Sequence, residues 1–299
     1  MSHQISLPSD AEAADRETES GHSDGTIEIA PDLAYRRLAF VNVVFVGHPG
    51  AGDRGWVLVD AGLRSLRNLI MWAAEDRFGE GARPAAIVLT HGHFDHVGSL
   101  ESLAQEWDAP VYCHPLELPY LNGTSSYPPP DPKVDSGLIA KLSPLFPVRP
   151  VDVSRQLHLL PEDGTVPHMP GWRWIATPGH APGHVSFFRD SDRALIAGDA
   201  FVTTNQESAY GAITQEAEMH GPPKYLTTDW EAAAASVRAL ADLRPELVVT
   251  GHGRAMLGRA MQEALQTLAE NFEDVAVPEH GRYVRHPARA EDGSAYRHG

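Results

Sequence analysis

The feature that most constrains this chain is an apolar strand that runs straight into a cluster of metal-ligand residue types. Ala85–Thr90 (AAIVLT) reads as a short buried strand, and it is followed at once by His91-Gly92-His93-Phe94-Asp95-His96. Three histidines and an aspartate fall within six residues, before a helical pattern that begins near Val97. In an extended stretch, residues two apart face the same side, so His91 and His93 can grip one ion together. Asp95 and His96 lie in the turn beyond and can reach a second. Imidazole and carboxylate without thiolate suit zinc, and also iron or manganese. The plain alternative is a polar surface turn, but ligand clusters placed on strand ends rarely arise without a metal.

Other apolar strands end the same way. WVLVDAG (56–62) presents Asp60, WRWIATPG (172–179) leads into His180, ALIAGD (194–199) ends on Asp199, and ELVVTG (246–251) leads into His252. His180, Asp199 and His252 each sit beside glycine, which lets the backbone approach a site closely. Taken singly, each would be an ordinary turn residue. LAFVNVVFVG (38–47), APVYCH (109–114) and HVSFFR (184–189) read as further strands. Helical spacing covers about Ser65 to Phe78, 97–107, a short stretch near 137–146, a helix N-capped by Asp229, and about Ala255 to Phe272. The simplest packing is a β-rich interior with helices outside both sheets.

Composition narrows the function. The 299 residues allow one large domain or two small ones, and the net charge of −16 argues against a general phosphate-backbone binder. No nucleic-acid partner is expected. With one cysteine, Cys113, no intrachain disulfide is possible, so a reducing, cytoplasmic setting is the expectation. No apolar run approaches the ~18 residues of a membrane helix. The expected organisation is an acidic tail over 1–25, a catalytic domain over 26–275 and a C-terminal tail over 276–299. The proline-rich stretch 122–136 reads as a long surface loop, the kind that often forms a lid. The irregular stretch 201–228 carries Tyr210, His220, Lys224 and Tyr225, which either contact substrate or belong to an ordinary surface loop.

The ordered set of Asp60, HxHxDH at 91–96, His180, Asp199 and His252 resembles the metallo-β-lactamase-fold hydrolase superfamily, more closely its glyoxalase-II-like and lactonase-like branch. The likeness spans roughly Ile27 to Phe272. It implies an α+β fold of αββα type, two mixed β-sheets packed face to face with helices on both outer faces. It implies two divalent metal ions, zinc first with iron or manganese as alternatives. His91, His93 and His180 would hold one; Asp95, His96 and His252 would hold the other; Asp199 would bridge them. Asp60 would hydrogen-bond and orient the HxHxDH loop. His184, at the start of its strand, reads as a hydrogen-bonding support rather than a ligand. A bridging water, its pKa lowered toward ~7, would attack a small ester, lactone or thioester as hydroxide, with Asp95 orienting it or passing its proton. Lactamases proper carry cysteine or serine where Asp199 stands, which counts against β-lactams. The alternatives are a mononuclear-iron sulfur dioxygenase, a metallo-β-lactamase, a phosphodiesterase or nuclease, and a metal-binding module without turnover. The expected partner is a small-molecule substrate, and the two insertions offer a surface for a homodimer.

Overall fold

The computed structural model describes residues 5–7, 25–134, 138–204 and 218–297. A two-residue strand, β1 (Ile5–Ser6), pairs antiparallel with β12 (Glu218–Met219). A seven-stranded sheet is ordered β2 (Thr26–Ala30), β3 (Leu33–Leu38), β4 (Val41–Val46), β5 (Val57–Val59), β6 (Ala86–Val88), β7 (Val111–Cys113) and β8 (Leu157–Leu159). Its first three junctions are antiparallel and its last three parallel. A five-stranded sheet is ordered β14 (Met256–Leu257), β13 (Leu247–Thr250), β11 (Ala194–Gly198), β10 (Val185–Arg189) and β9 (Trp172–Ala176), with β11 and β13 parallel.

Strand alternation builds the layers. Val57 and Val59 face the space between the sheets, with Val44, Val88, Phe187, Ile196 and Val249, while Leu58 points the other way. On that outer face Leu58, Phe45 and Ile87 pack under helices Arg67–Phe78 and Leu100–Trp107. Leu195, Ala197 and Val248 likewise turn outward from the second sheet, under helices Trp230–Asp242 and Gly258–Glu270. The result is an αββα sandwich. Burial on both faces explains why these strands read as unbroken apolar runs rather than alternating ones.

Helix Trp230–Asp242 starts where the sequence places it: the Asp229 carboxylate accepts the Ala232 N–H at 3.1 Å. Such a cap is worth ~1 kcal/mol. Its buried stripe of Ala233, Ala234, Val237, Leu240 and Ala241 then faces the sheet.

Two expectations change. The run 38–47 is not one strand; Ala39 at φ 60° folds it into the β3–β4 hairpin. An alanine gives no sequence signal for a left-handed turn. The described part of 122–136 is no free surface loop: Tyr127 and Asp131 are buried, and Asp131 N–H donates to Tyr225 O. The stretch after Val275, through Arg297, is docked on the rest of the fold. Tyr283 Oη donates to Pro129 O at 2.7 Å, Arg289 pairs with Asp229, Tyr120 Oη donates to Ala295 O, and Arg297 bridges to Ser126. Within 1–25, the described Ile5 and Leu7 pack on the second sheet's helical face.

β5, β6 and β7 run parallel, as do β11 and β13, so their C-terminal ends gather at one edge of each sheet. β9 runs the same way as β11, because both are antiparallel to β10. Asn42 joins the two edges: its N–H donates to Gly251 O at 2.7 Å, and its amide to Thr250 O and Gly253 O. Crevices at the carboxyl ends of parallel strands are where α/β sheets place their chemistry.

Candidate metal centre

Into that edge project the residues singled out from the sequence. The ligand atoms of His91, His93 and His180 lie within 4.8 Å of one another. So do those of His91, His96 and Asp199, and those of Asp95, His96 and His252. Asp199 Oδ2 sits between the outer groups, 3.1 Å from His252 Nε2, 3.4 Å from His180 Nε2 and 3.5 Å from His96 Nε2. His252 Nε2 is also 3.4 Å from Asp95 Oδ2. Every one of these seven side chains is buried.

Four of the rings are oriented by the nitrogen that faces away from the centre. Asp60 Oδ2 accepts from His96 Nδ1 at 2.8 Å and from Thr90 Oγ1 at 2.8 Å, while its Oδ1 accepts from Thr90 N–H. Thr90 Oγ1, having donated to Asp60, accepts from His91 Nδ1 at 3.0 Å. His252 Nδ1 donates to Phe40 O at 2.7 Å. Thr227 Oγ1 donates to Pro223 O and so accepts from His180 Nδ1 at 3.2 Å. Each of these bonds puts a proton on Nδ1 and turns Nε2 inward, where those of His91 and His96 meet no partner, that of His180 meets His93 Nδ1 at 2.9 Å and that of His252 meets Asp199 Oδ2 at 3.1 Å. Asp60 holds a left-handed backbone, φ 61°, at the end of β5 to make its contacts.

His184 links the Asp199 backbone to Thr177. The Asp199 N–H donates to its Nε2 at 2.9 Å, so Nδ1 carries the proton and donates to Thr177 Oγ1 at 2.8 Å. Thr177 passes the chain to Ser186 Oγ, which donates to Ala197 O. This line of four groups fixes the backbone that carries Asp199.

The electrostatics suit a cation. Burial lowers the pKa of His91 and His93 well below the usual histidine value, of His180 to about 4 and of His184 to about 3. Neutral rings are the ones that offer lone pairs. At His96 burial opposes the charge, but the Asp199, Asp60 and Asp95 carboxylates outweigh it and raise the pKa; His252 is raised the same way by Asp199. Among the described residues, the ion pairs of Asp60, Asp95 and Asp199 are with histidine rings alone. Three buried carboxylates thus share a site with no lysine or arginine ion pair among the described residues. His91 Nε2, Asp95 Oδ1, His96 Nε2 and Asp199 Oδ1 are buried without any hydrogen-bond partner. Groups of this kind cost ~1–3 kcal/mol each when left unmet. An imidazole–carboxylate set whose bare atoms all point at one small volume fits divalent metal ions.

The sequence profile of the Metallo-beta-lactamase superfamily matches residues 36–252. The chain belongs to that superfamily. A relative within reach of this assignment is the Bacillus subtilis (strain 168) protein described as "Probable metallo-hydrolase YflN", 46% identical over 256 residues, which are 86% of this chain and 97% of that protein. A second from the same organism, "Probable metallo-hydrolase YybB", is 29% identical over 58% of this chain and 66% of its own. The superfamily sandwich is also seen in a solved beta-lactamase domain protein from Burkholderia ambifaria, with a TM-score of 0.58 at 20% identity over 91% of this chain and 81% of that one. The Rm3 metallo-beta-lactamase gives a TM-score of 0.53 at 21% identity, covering 90% of each chain. At those identities the two structures speak to the fold alone. Superfamily membership and the buried His/Asp cluster together support a metal-dependent hydrolase.

The weaker candidates fare differently. Tyr210 lies outside the described residues. His220 is buried and pairs with Glu218 at 3.0 Å, and Tyr225 is buried in an apolar cluster with Phe146. Lys224 is buried as well. None of the three belongs to the ligand groups. Two residues escaped the sequence reading. Tyr127 packs against the His93 ring with centroids 4.3 Å apart, and its hydroxyl donates to the buried carboxylate of Glu117. Burial pushes Glu117 up to about 7, against the hydrogen bonds from Tyr127, Gly183 and Gly92. Nothing in their sequence context, a tyrosine in a proline-rich stretch and a glutamate after a strand, marks them. No helix among the described residues is long and apolar enough to cross a membrane.

Proposed function

We propose that this chain is a dinuclear metal-dependent hydrolase that cleaves a small carboxylic ester, lactone or thioester. The observation that carries the reading is the pair of ligand groups, His91–His93–His180 and Asp95–His96–His252, meeting at Asp199 with four buried donor atoms left bare. His91, His93 and His180 would hold one divalent ion, Asp95, His96 and His252 the other, and Asp199 both; zinc suits the donors, and iron or manganese also fit. Such a pair would supply a hydroxide nucleophile at neutral pH and polarise a carbonyl oxygen.

The protein's own part is to position and to move a proton. Asp60, Thr90, Thr227 and the Phe40 carbonyl lock the rings, so no reorientation is needed during reaction. Asp95 Oδ1 is free of hydrogen bonds, and burial raises the carboxyl's pKa despite His96 and His252. With one Asp95 oxygen holding the ion, the other can accept a proton from the attacking water and return it to the leaving group. The acidic balance, −16 over the chain, supports a small substrate over nucleic acid.

The test is a substrate panel on protein with its metal content quantified: lactones, oxoesters, thioesters, nitrocefin and a phosphodiester reporter. Hydrolysis of the first three above the last two supports the proposal, and turnover confined to nitrocefin or the phosphodiester refutes the substrate class. Asp95→Asn, compared at metal loading matched to wild type, should lose ~10²–10⁴-fold in kcat. Full turnover in that variant would remove the proton role.

A further inference from the structure

Glu117 belongs to none of the ligand groups, yet it is almost completely buried beside them, 1% exposed. It ends the turn Pro115–Glu117 that follows β7. Its Oε2 accepts from the Gly92 N–H at 2.9 Å and from the Tyr127 hydroxyl; its Oε1 accepts from the Gly183 N–H at 2.8 Å. Gly92 lies between His91 and His93. Gly183 lies three residues after His180, in the loop that closes on His184. One carboxylate therefore ties together the two loops that supply His91, His93 and His180. The fit leaves no slack: a Cβ on Gly183 would lie 2.8 Å from Glu117 Oε1, and one on Gly92 would lie 2.9 Å from the Tyr127 hydroxyl.

The other half of the centre is secured by different groups. His96 is held by Asp60, His252 by the Phe40 carbonyl, and the His252 loop by Asn42. His93 depends more on the Glu117 assembly. Its ring contacts include Tyr127, whose hydroxyl Glu117 anchors, and its Nδ1 faces His180 Nε2 at 2.9 Å. A carboxylate with backbone N–H and phenol donors is costly to bury, and here it spends its acceptors on loop spacing.

We infer that Glu117 is a positioning residue: it sets the separation of the His91–His93 loop from the His180 loop, and so governs metal affinity in the His91–His93–His180 half of the centre while the Asp95–His96–His252 half stands apart from it. This rests on the two-ion reading above.

The experiment titrates zinc into metal-free protein against a competing chelator, in two single-half backgrounds. His252→Ala leaves the His91–His93–His180 half, and His180→Ala leaves the other. Adding Glu117→Ala should weaken zinc ~10–100-fold in the His252→Ala background, the usual effect of losing an outer hydrogen-bond partner, and by less than about threefold in the His180→Ala background. Glu117→Gln, which keeps one carbonyl acceptor for one of the two glycine N–H groups, should fall between wild type and alanine. If Glu117→Ala does not fold, Glu117→Gln and Tyr127→Phe carry the comparison, with the same one-sided loss expected. Equal weakening in both backgrounds, or none in either, overturns the inference. Wild-type protein that takes up fewer than two zinc ions contradicts the two-ion reading instead, whatever the Glu117 variants do.

Discussion

Replacing Gly251 by alanine should disable metal binding through a single methyl group. Gly251 follows β13 and precedes His252. It is not among the residues with positive φ, so alanine can adopt its backbone and the whole effect is steric. The added Cβ would fall inside the contact radius of Asp199 Oδ1 and only 2.7 Å from His96 Cε1. Ordinary contact begins at 3.4 Å, so the Asp199 carboxylate must move by about 1 Å or more. It has little room. His184 holds the Asp199 backbone, and Asp60 holds the His96 ring. Overpacking of this kind costs ~1–3 kcal/mol of stability. Disturbing the groups that orient a metal ligand costs ~10–100-fold in metal affinity, and in the proposed centre Asp199 serves both halves. The assay pairs a chelator-competition titration with a denaturant midpoint. Gly251→Ala should stay folded, with both ions weakened by ~10–100-fold. Two ions bound at wild-type affinity would refute the placement of Asp199 as a shared ligand.

Asp60→Asn should act through a proton. An amide NH₂ facing His96 Nδ1 forces that nitrogen to accept, which moves the ring proton to Nε2, the atom aimed at the centre. Zinc affinity should fall ~10–100-fold in competition titrations, and an unchanged affinity would contradict the tautomer assignment. Cys113 is buried in β7, and burial raises its thiol pKa. Native protein should leave a chromogenic disulfide reagent untouched, and denatured protein should release one thiol per chain; prompt reaction of the native form would contradict the burial.

Much of the site was legible because a metal centre demands side chains of a few types at strand ends. The five strand-end elements carry polar groups that would be wasteful at the mouth of an apolar sheet unless they met one another, and they do. Strands β5, β6, β11 and β13 were readable for the same reason: burial on both faces makes their apolar runs continuous. What the sequence hid depends on contacts distant along the chain. Glu117 is defined by two backbone N–H groups, at Gly92 and Gly183, which no side-chain pattern announces. Tyr127 lies in a stretch whose prolines signal a loop, but its ring is held under Tyr120, with centroids 3.6 Å apart. The C-terminal segment looked like a tail because its docking relies on single anchors, Tyr283, Arg289 and Arg297, spaced without helical or strand periodicity. Residues such as His220 and Tyr225 looked like loop contacts by composition, whereas Glu218 and Phe146 bury them.

The most direct measurement is anomalous diffraction at the absorption edge of the metal that copurifies with the protein. Two peaks should appear, one among His91, His93 and His180 and one among Asp95, His96 and His252, with Asp199 between them. A single peak, or density for metal anywhere other than these two positions, would contradict the dinuclear centre on which the proposed chemistry depends.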